Sequence, residues 1–100
     1  MIIVVGIFEV DGGDRKRFLE TKRSQVASTL KEPGCIDYAF AADAGDARRV
    51  HLIERWACMA DLEAHVDALR TGAPPPVPAV SARMTEMAVY EATPARAPWT

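Results

Sequence analysis

The chain opens on a segment, Ile2 to Val10, that is apolar on both sides of an extended backbone. Ile2, Val4, Gly6, Phe8 and Val10 lie on one side, and Ile3, Val5 and Ile7 on the other. A strand of this kind wants cover on both faces. Asp11-Gly12-Gly13-Asp14 is turn chemistry, with Asp14 placed to cap a helix. The pattern predicts that helix over residues 15–31, with a ragged stripe of Phe18, Leu19, Val26, Ala27 and Leu30, ended by Pro33-Gly34. Cys35 to Ala41 alternates like a strand, with Ile36, Tyr38 and Phe40 on the face expected to be buried. Ala42-Asp43-Ala44-Gly45-Asp46 reads as a hairpin connection, so the next strand, about 48–57, should run antiparallel.

In that next strand Val50, Leu52, Glu54 and Trp56 share one side. A second helix follows over about 59–70, where Leu62, His65, Val66 and Leu69 fall at the spacing of one helical face. Cys58 stands where a Ser, Thr or Asp cap would be expected, which predicts a fraying first turn. Gly72 to Pro78 cannot be helix and should form an extended loop. Strand character returns over Ala79 to Ala92, with Met84, Glu86, Ala88 and Tyr90 on one face and Thr85, Met87 and Val89 on the other. Residues 93–100 are a tail, expected to be mobile unless Trp99 finds a groove.

The order β-α-β-β-α-β predicts an α+β, ferredoxin-like domain over residues 1–92 with an antiparallel four-stranded sheet. Two helices cover only one face of such a sheet. The second face needs another layer, and the simplest is a second copy, giving a homodimer built through the sheet faces.

Composition narrows the partners. One hundred residues with 49% hydrophobic content make one globular domain. A net charge of −2 points to neither nucleic acid nor an anionic membrane. The run Arg15-Lys16-Arg17 follows Asp11 and Asp14 and reads as a solvated helix face. The apolar start is too short to span a bilayer and lacks the basic flank and cleavage site of a signal peptide. Cys35 and Cys58 are too few for a disulfide framework, so free thiols and a cytoplasmic location are expected.

One group of residues carries chemistry. A strand running into a helix that folds back would bring Glu54, Trp56 and His65 towards one cleft with apolar walls. Each also has a plain structural role: Trp56 as core, His65 as a hydrogen-bonded core histidine, Glu54 as an ion-paired carboxylate. Cys35, His51, Cys58 and His65 are zinc-type ligands without any short paired spacing, and strand alternation turns His51 away from the cleft. Ser24, Ser28 and Ser81 lack the context of a nucleophile, and Gly12-Gly13 is a turn rather than a phosphate loop.

Glu32-Pro33-Gly34-Cys35, Tyr38, Glu54-Arg55-Trp56 and Leu62-Glu63-Ala64-His65-Val66 together resemble the antibiotic biosynthesis monooxygenase family of dimeric α/β barrels, over about residues 1–70. The resemblance implies oxidation of quinols, anthrones or related polyketide phenols by O₂ without metal or flavin. One branch of the family binds and degrades haem, and other members have no known activity. The haem branch uses an Asn on the first strand with a Trp and a His matching Trp56 and His65. Here Gly6 takes the Asn position and the chain contains no Asn, so that constellation is incomplete. Arg70 stands where many relatives carry a second His.

A monooxygenase without cofactor needs a base, an oxyanion donor and a dry pocket. The resemblance casts His65 as base. Trp56 becomes indole donor and stacking surface, and Glu54 the group that orients His65 or holds a proton. Gly6, Phe8, Tyr38, Leu62 and Leu69 form the substrate pocket. No cofactor and no metal are expected. The alternative is a non-catalytic dimeric module for ligand binding or assembly, and a haem-binding relative is a third reading. The resemblance alone suggests that the tail through Trp99 crosses to the partner.

Overall fold

The alternation of Val50, Leu52 and Trp56 with Arg49, His51 and Arg55 decides which side of the sheet becomes the interior. The computed structural model describes residues 1–73 and 80–100. Its elements are β1 (Ile2–Glu9), a single 3₁₀ turn (Gly12–Asp14), α1 (Arg15–Thr21), α2 (Arg23–Thr29), β2 (Cys35–Ala42), β3 (Arg49–Trp56), α3 (Met59–Thr71) and β4 (Arg83–Glu91). The strands form one antiparallel sheet in the order β2-β3-β1-β4. The fold is α+β and ferredoxin-like. Among the described residues no helix is long and apolar enough to cross a membrane.

Ile2 and Val4 of β1 pack with Leu52 and Trp56 of β3, Tyr38 of β2 and Leu62 of α3. A second cluster joins Val10, Phe18, Val50 and Val80 at the other end of the sheet. Phe8, Phe18 and Phe40 link the two, with ring centroids 5.8 to 6.2 Å apart. The opposite face of the sheet carries Val5, Ile53 and Tyr90 as exposed large apolar side chains, with Ile3 and Ile7 only half-buried. Among the described residues no helix covers them.

Four local features depart from the pattern-based expectation. The helix expected over 15–31 is two segments meeting at Lys22, whose N–H donates to the carbonyl of Leu19, three residues back. Next to the break, the Thr21 hydroxyl donates to the carbonyl of Phe18 at 2.6 Å. Such back-bonding bends helices, and the ragged stripe of Phe18, Leu19 and Val26 meets the core from two segments instead of one. Ile36 is not on the buried face. A bulge lies between Cys35, which opposes Trp56, and Asp37, which opposes Arg55, so the extra residue reverses the parity. Ile36 is left 48% exposed.

The last strand starts at Arg83 rather than Ala79, and its register with β1 slips between Ile7 and Phe8. Met84 therefore shares the inward side of the sheet with Met87 and Val89, opposite Phe8, Gly6 and Val4. The loop expected over 72–78 falls largely outside the described residues. Asp14 occupies the N-cap position, but its carboxylate bonds Arg17 instead of the helix backbone. At the start of α3 the Cys58 thiol donates to Asp61 at 3.2 Å and caps no backbone group.

The connection from α2 to β2 turns on Gly34, the glycine whose φ of +77° lies in the left-handed region. A Cβ there would collide with the Asp61 side chain in the first turn of α3. The Gly34 carbonyl also accepts the Ala57 N–H at 2.8 Å. The turn is thus fitted closely against the start of α3. Gly34→Ala is expected to lower stability by about 2 kcal/mol or more, because it adds left-handed strain to a steric collision. Gly13→Ala, where a Cβ would meet nothing within 4 Å, should stay within about 0.5 kcal/mol of wild type. Urea unfolding of both variants measures the difference.

Candidate functional site

Strand parity puts Glu54 and Trp56 on the inward face of β3, and the helical stripe of α3 lays His65 over them. Trp56 is 0% exposed and His65 3%. Their ring centroids are 4.9 Å apart and tilted by 36°, while Tyr38 approaches His65 edge-on at 5.4 Å. The imidazole is therefore packed against two aromatic walls, which leaves its nitrogens few ways to point.

Glu32 takes one of them. α2 ends at Thr29, and Glu32, disfavoured in helical geometry by the proline that follows it, leads the chain into the Gly34 turn. This aims the Glu32 carboxylate at α3, where its Oε2 lies 2.8 Å from His65 Nδ1. A carboxylate only accepts, so Nδ1 carries a proton, and in the neutral ring Nε2 is the acceptor.

Glu54 makes a different bond. Its Oε1 accepts the indole N–H of Trp56 at 3.0 Å. Burial is the chief cause that pushes its pKa up; the Trp56 hydrogen bond and the nearby His65 pull the other way, and Glu32 adds a smaller push. Tyr38 accepts a hydrogen bond from Gln25 Nε2 at 2.8 Å, and burial pushes its phenol well above the usual range. It therefore stays protonated at neutral pH, a neutral donor.

His65, Glu54 and Tyr38 border a cavity of about 290 Å³ between the helices and the inward face of the sheet. His65, Glu54, Tyr38, Gln25 and Lys22 supply its polar groups, and its apolar walls include Phe8, Leu52, Leu62, Met84 and Met87. The volume is at the lower end of small-molecule sites, about 300 to 1,000 Å³. It suits a ligand of a few rings.

Most of the expected site residues meet here, with altered roles. His65, Glu54, Phe8, Tyr38 and Leu62 border the cavity, and Leu69 stands at its rim, 53% exposed. Trp56 does not reach it. The indole lies behind His65 with its N–H committed to Glu54, so it is not free to hold a ligand oxygen. Glu54 does not orient His65; Glu32 does. Gly6 is covered rather than open, because Met87 Cε would stand 3.0 Å from a Cβ at that position.

Glu32, Gln25, Lys22, Phe40 and the two methionines of β4 were not singled out as site residues from the sequence. For Glu32 a signal existed: a carboxylate directly ahead of a Pro-Gly turn is held by the backbone in a single direction. His51 pairs instead with Asp43 at 2.6 Å on the opposite side of the sheet, away from the cavity. Cys35 and Cys58 are both free thiols. Among the described residues no cluster of His, Cys, Asp and Glu could hold a metal ion.

Residues 1–71 match the model of the antibiotic biosynthesis monooxygenase family. The chain belongs to that family. No curated protein matches it. Among solved structures, it is similar to a candidate antibiotic biosynthesis monooxygenase of Deinococcus radiodurans, at 18% identity and a TM-score of 0.75, covering 97% of each chain. It is also similar to a conserved protein of Methanosarcina mazei, at 22% identity and a TM-score of 0.71 over 92% of each chain. A third is the haem degrader MhuD of Mycobacterium tuberculosis, solved with two haems in its active site, at 13% identity and a TM-score of 0.70, covering 97% of this chain and 100% of that one. Identities this low establish the shared fold alone.

The raised pKa of Glu54 has a consequence for stability. Relative to the ordinary value of 4.5, a raised folded pKa gives stability that is complete below the unfolded pKa and is lost as pH rises through the folded one. Gln keeps the acceptor for Trp56 and cannot ionise. Glu54→Gln is therefore expected to be more stable than wild type at pH 8 and within about 0.5 kcal/mol of it at pH 4, as read from urea unfolding at both pH values.

Proposed function

We propose that this protein is a cofactor-independent monooxygenase that oxidises a small aromatic polyol, a quinol, anthrone or polyketide-derived phenol, with O₂. The observation that carries the reading is the His65 imidazole on the wall of an apolar cavity, fixed through Nδ1 by Glu32 at 2.8 Å. An imidazole whose Nδ1–H is held by a carboxylate has a set tautomer, with Nε2 turned to the ligand as proton acceptor. Family membership and the monooxygenase-like fold neighbours support the reaction class.

In this reading His65 Nε2 takes the proton of the phenol or enol. The apolar walls keep water away from the anion, which raises its tendency to give an electron to O₂. The radical pair combines at the activated carbon to a hydroperoxide. Loss of water then leaves a carbonyl, with the balance CH₂ + O₂ → C=O + H₂O for an anthrone-type carbon. Tyr38, a neutral phenol held by Gln25, donates to the developing oxyanion. Glu54, with its raised pKa, holds or returns a proton near the peroxide. Glu32 is 29% exposed and connects His65 to solvent, so the proton taken from the substrate has a way out.

The working unit is a cytoplasmic homodimer through the open sheet face. Val5, Ile53 and Tyr90 form there a contiguous apolar surface, of a kind soluble monomers rarely leave uncovered. A second reading, a non-catalytic ligand-binding module, shares the cavity and lacks the turnover. Haem is a poor fit to this cavity, since Gly6 replaces the Asn of the haem branch and Met87 lies over it.

Oxygen uptake with a panel of hydroquinones and anthrones tests the activity. His65→Ala is expected to lower kcat by about 10²-fold or more, and Glu32→Gln by about tenfold with little change in KM. No uptake with any member of the panel would favour the binding module. Sedimentation at micromolar concentration is expected to show a species of twice the 10.9 kDa chain mass. Haem titration should give no Soret shift saturating at one per chain.

A further inference from the structure

One charged group on the cavity wall has no part in the reaction above. Lys22 stands at the break between α1 and α2, with its Nζ 5.2 Å from the centre of the Phe18 ring and 5.6 Å from that of Phe40. Among the described residues it forms no ion pair, although every other cation on the inner cavity or the adjoining groove stands on an open helix surface. Two aromatic faces attract an ammonium. They supply none of the acceptors that its three N–H groups require. Burial also lowers the pKa of this ammonium.

Two further observations point to what supplies that charge. Lys22 borders the inner cavity together with Glu54 and His65, and also an outer groove of about 580 Å³ between α1, α2 and the edge strand β2. The charged residues along that groove are Lys16, Lys22 and Arg23 against Glu20, a positive balance on a chain of net charge −2. The approach to Lys22 therefore favours an anion. Position along the sheet gives the second. Lys22 stands over Phe40, which opposes Leu52, whereas His65 stands over Tyr38 and Trp56, which belong to the rows of Glu54 and Trp56. That offset of two to four residues corresponds to roughly 7 to 13 Å at about 3.3 Å per residue. It matches a flat ligand of two fused rings with a polar group at each end.

We propose that Lys22 sets the substrate class: its ammonium, held against Phe18 and Phe40 on the cavity shared with His65 and Glu54, receives the carboxylate of a hydroxylated two-ring aromatic acid. The phenol end of the same molecule meets His65, and in that respect alone the inference rests on the monooxygenase reading. A charge-assisted N⁺–H···O⁻ contact on an aromatic platform discriminates between an acid and its neutral ester.

Calorimetric titration with 6-hydroxy-2-naphthoate and with its methyl ester tests this, on wild type, Lys22→Met and Lys22→Arg. Met keeps an unbranched stem over the two phenylalanines, and thermal melting checks that each variant is folded. Wild type is expected to bind the acid about tenfold or more tighter than the ester. Lys22→Met should lose about tenfold for the acid and less than about twofold for the ester, while Lys22→Arg keeps the acid within about threefold. Equal binding of acid and ester by wild type, an equal loss of both in Lys22→Met, or no binding of the acid would each overturn the proposal. Oxygen uptake is read separately. Tight, Lys22-dependent binding of the acid without turnover of any phenol would sink the monooxygenase reading and leave the anion site standing.

Discussion

The meeting of Glu32 and His65 depends on one backbone conformation that only glycine adopts without strain. Gly34 reverses the chain in the left-handed region and sits so close to Asp61 that no side chain fits between them. Through the bond from Ala57 to its carbonyl, the same residue ties the end of β3 to the turn. The three elements that make the site, the exit of α2, the end of β3 and the first turns of α3, are thus clamped within a few residues of one another. A buried imidazole against a carboxylate is sensitive to small displacements, since charge-assisted bonds demand close distances. The rigidity of this corner is what makes a pair at 2.8 Å reproducible.

Around that pair the polar groups are used sparingly. The indole of Trp56 satisfies Glu54, Gln25 satisfies Tyr38, and Glu32 satisfies His65 Nδ1. No buried side-chain oxygen or nitrogen among the described residues lacks a partner. The groups that remain able to act on a ligand are the second nitrogen of His65, the hydroxyl hydrogen of Tyr38, the second carboxyl oxygen of Glu54 and the ammonium of Lys22. An apolar cavity with so few committed polar groups orients a ligand by a small number of strong contacts.

Alternation and helical spacing made the element order, the antiparallel pairing and the inward face of β3 legible in the chain, because each rests on a period of two or of 3.6. Where one residue breaks the period, the reading failed. Ile36 was assigned to the buried face since nothing in Cys35-Ile36-Asp37 announces a bulge. Met84 changed sides for the same reason. Thr21, which bonds back to Phe18, is an ordinary helix residue by propensity, so the break at Lys22 was not foreseen. The site was legible in its members more than in its bonds. His65, Glu54 and Trp56 follow from parity, but which carboxylate reaches the imidazole depends on the direction of a turn more than thirty residues away in sequence. Pairings across such distances have no periodic signature.

The fit of Met87 over Gly6 gives the cavity one wall of a different kind. Much of the wall is made of aromatic rings and branched side chains, whose rotamers are few. Met87, like Met84 beside it, is an unbranched thioether with three rotatable bonds, and it lies where a Cβ is missing. Swinging Met87 aside would uncover the backbone of β1 and deepen the chamber by about the volume of a side chain, without moving a strand. A side-chain torsion thus sets the depth of the chamber beside β1, while the strands fix the offset between Lys22 and His65.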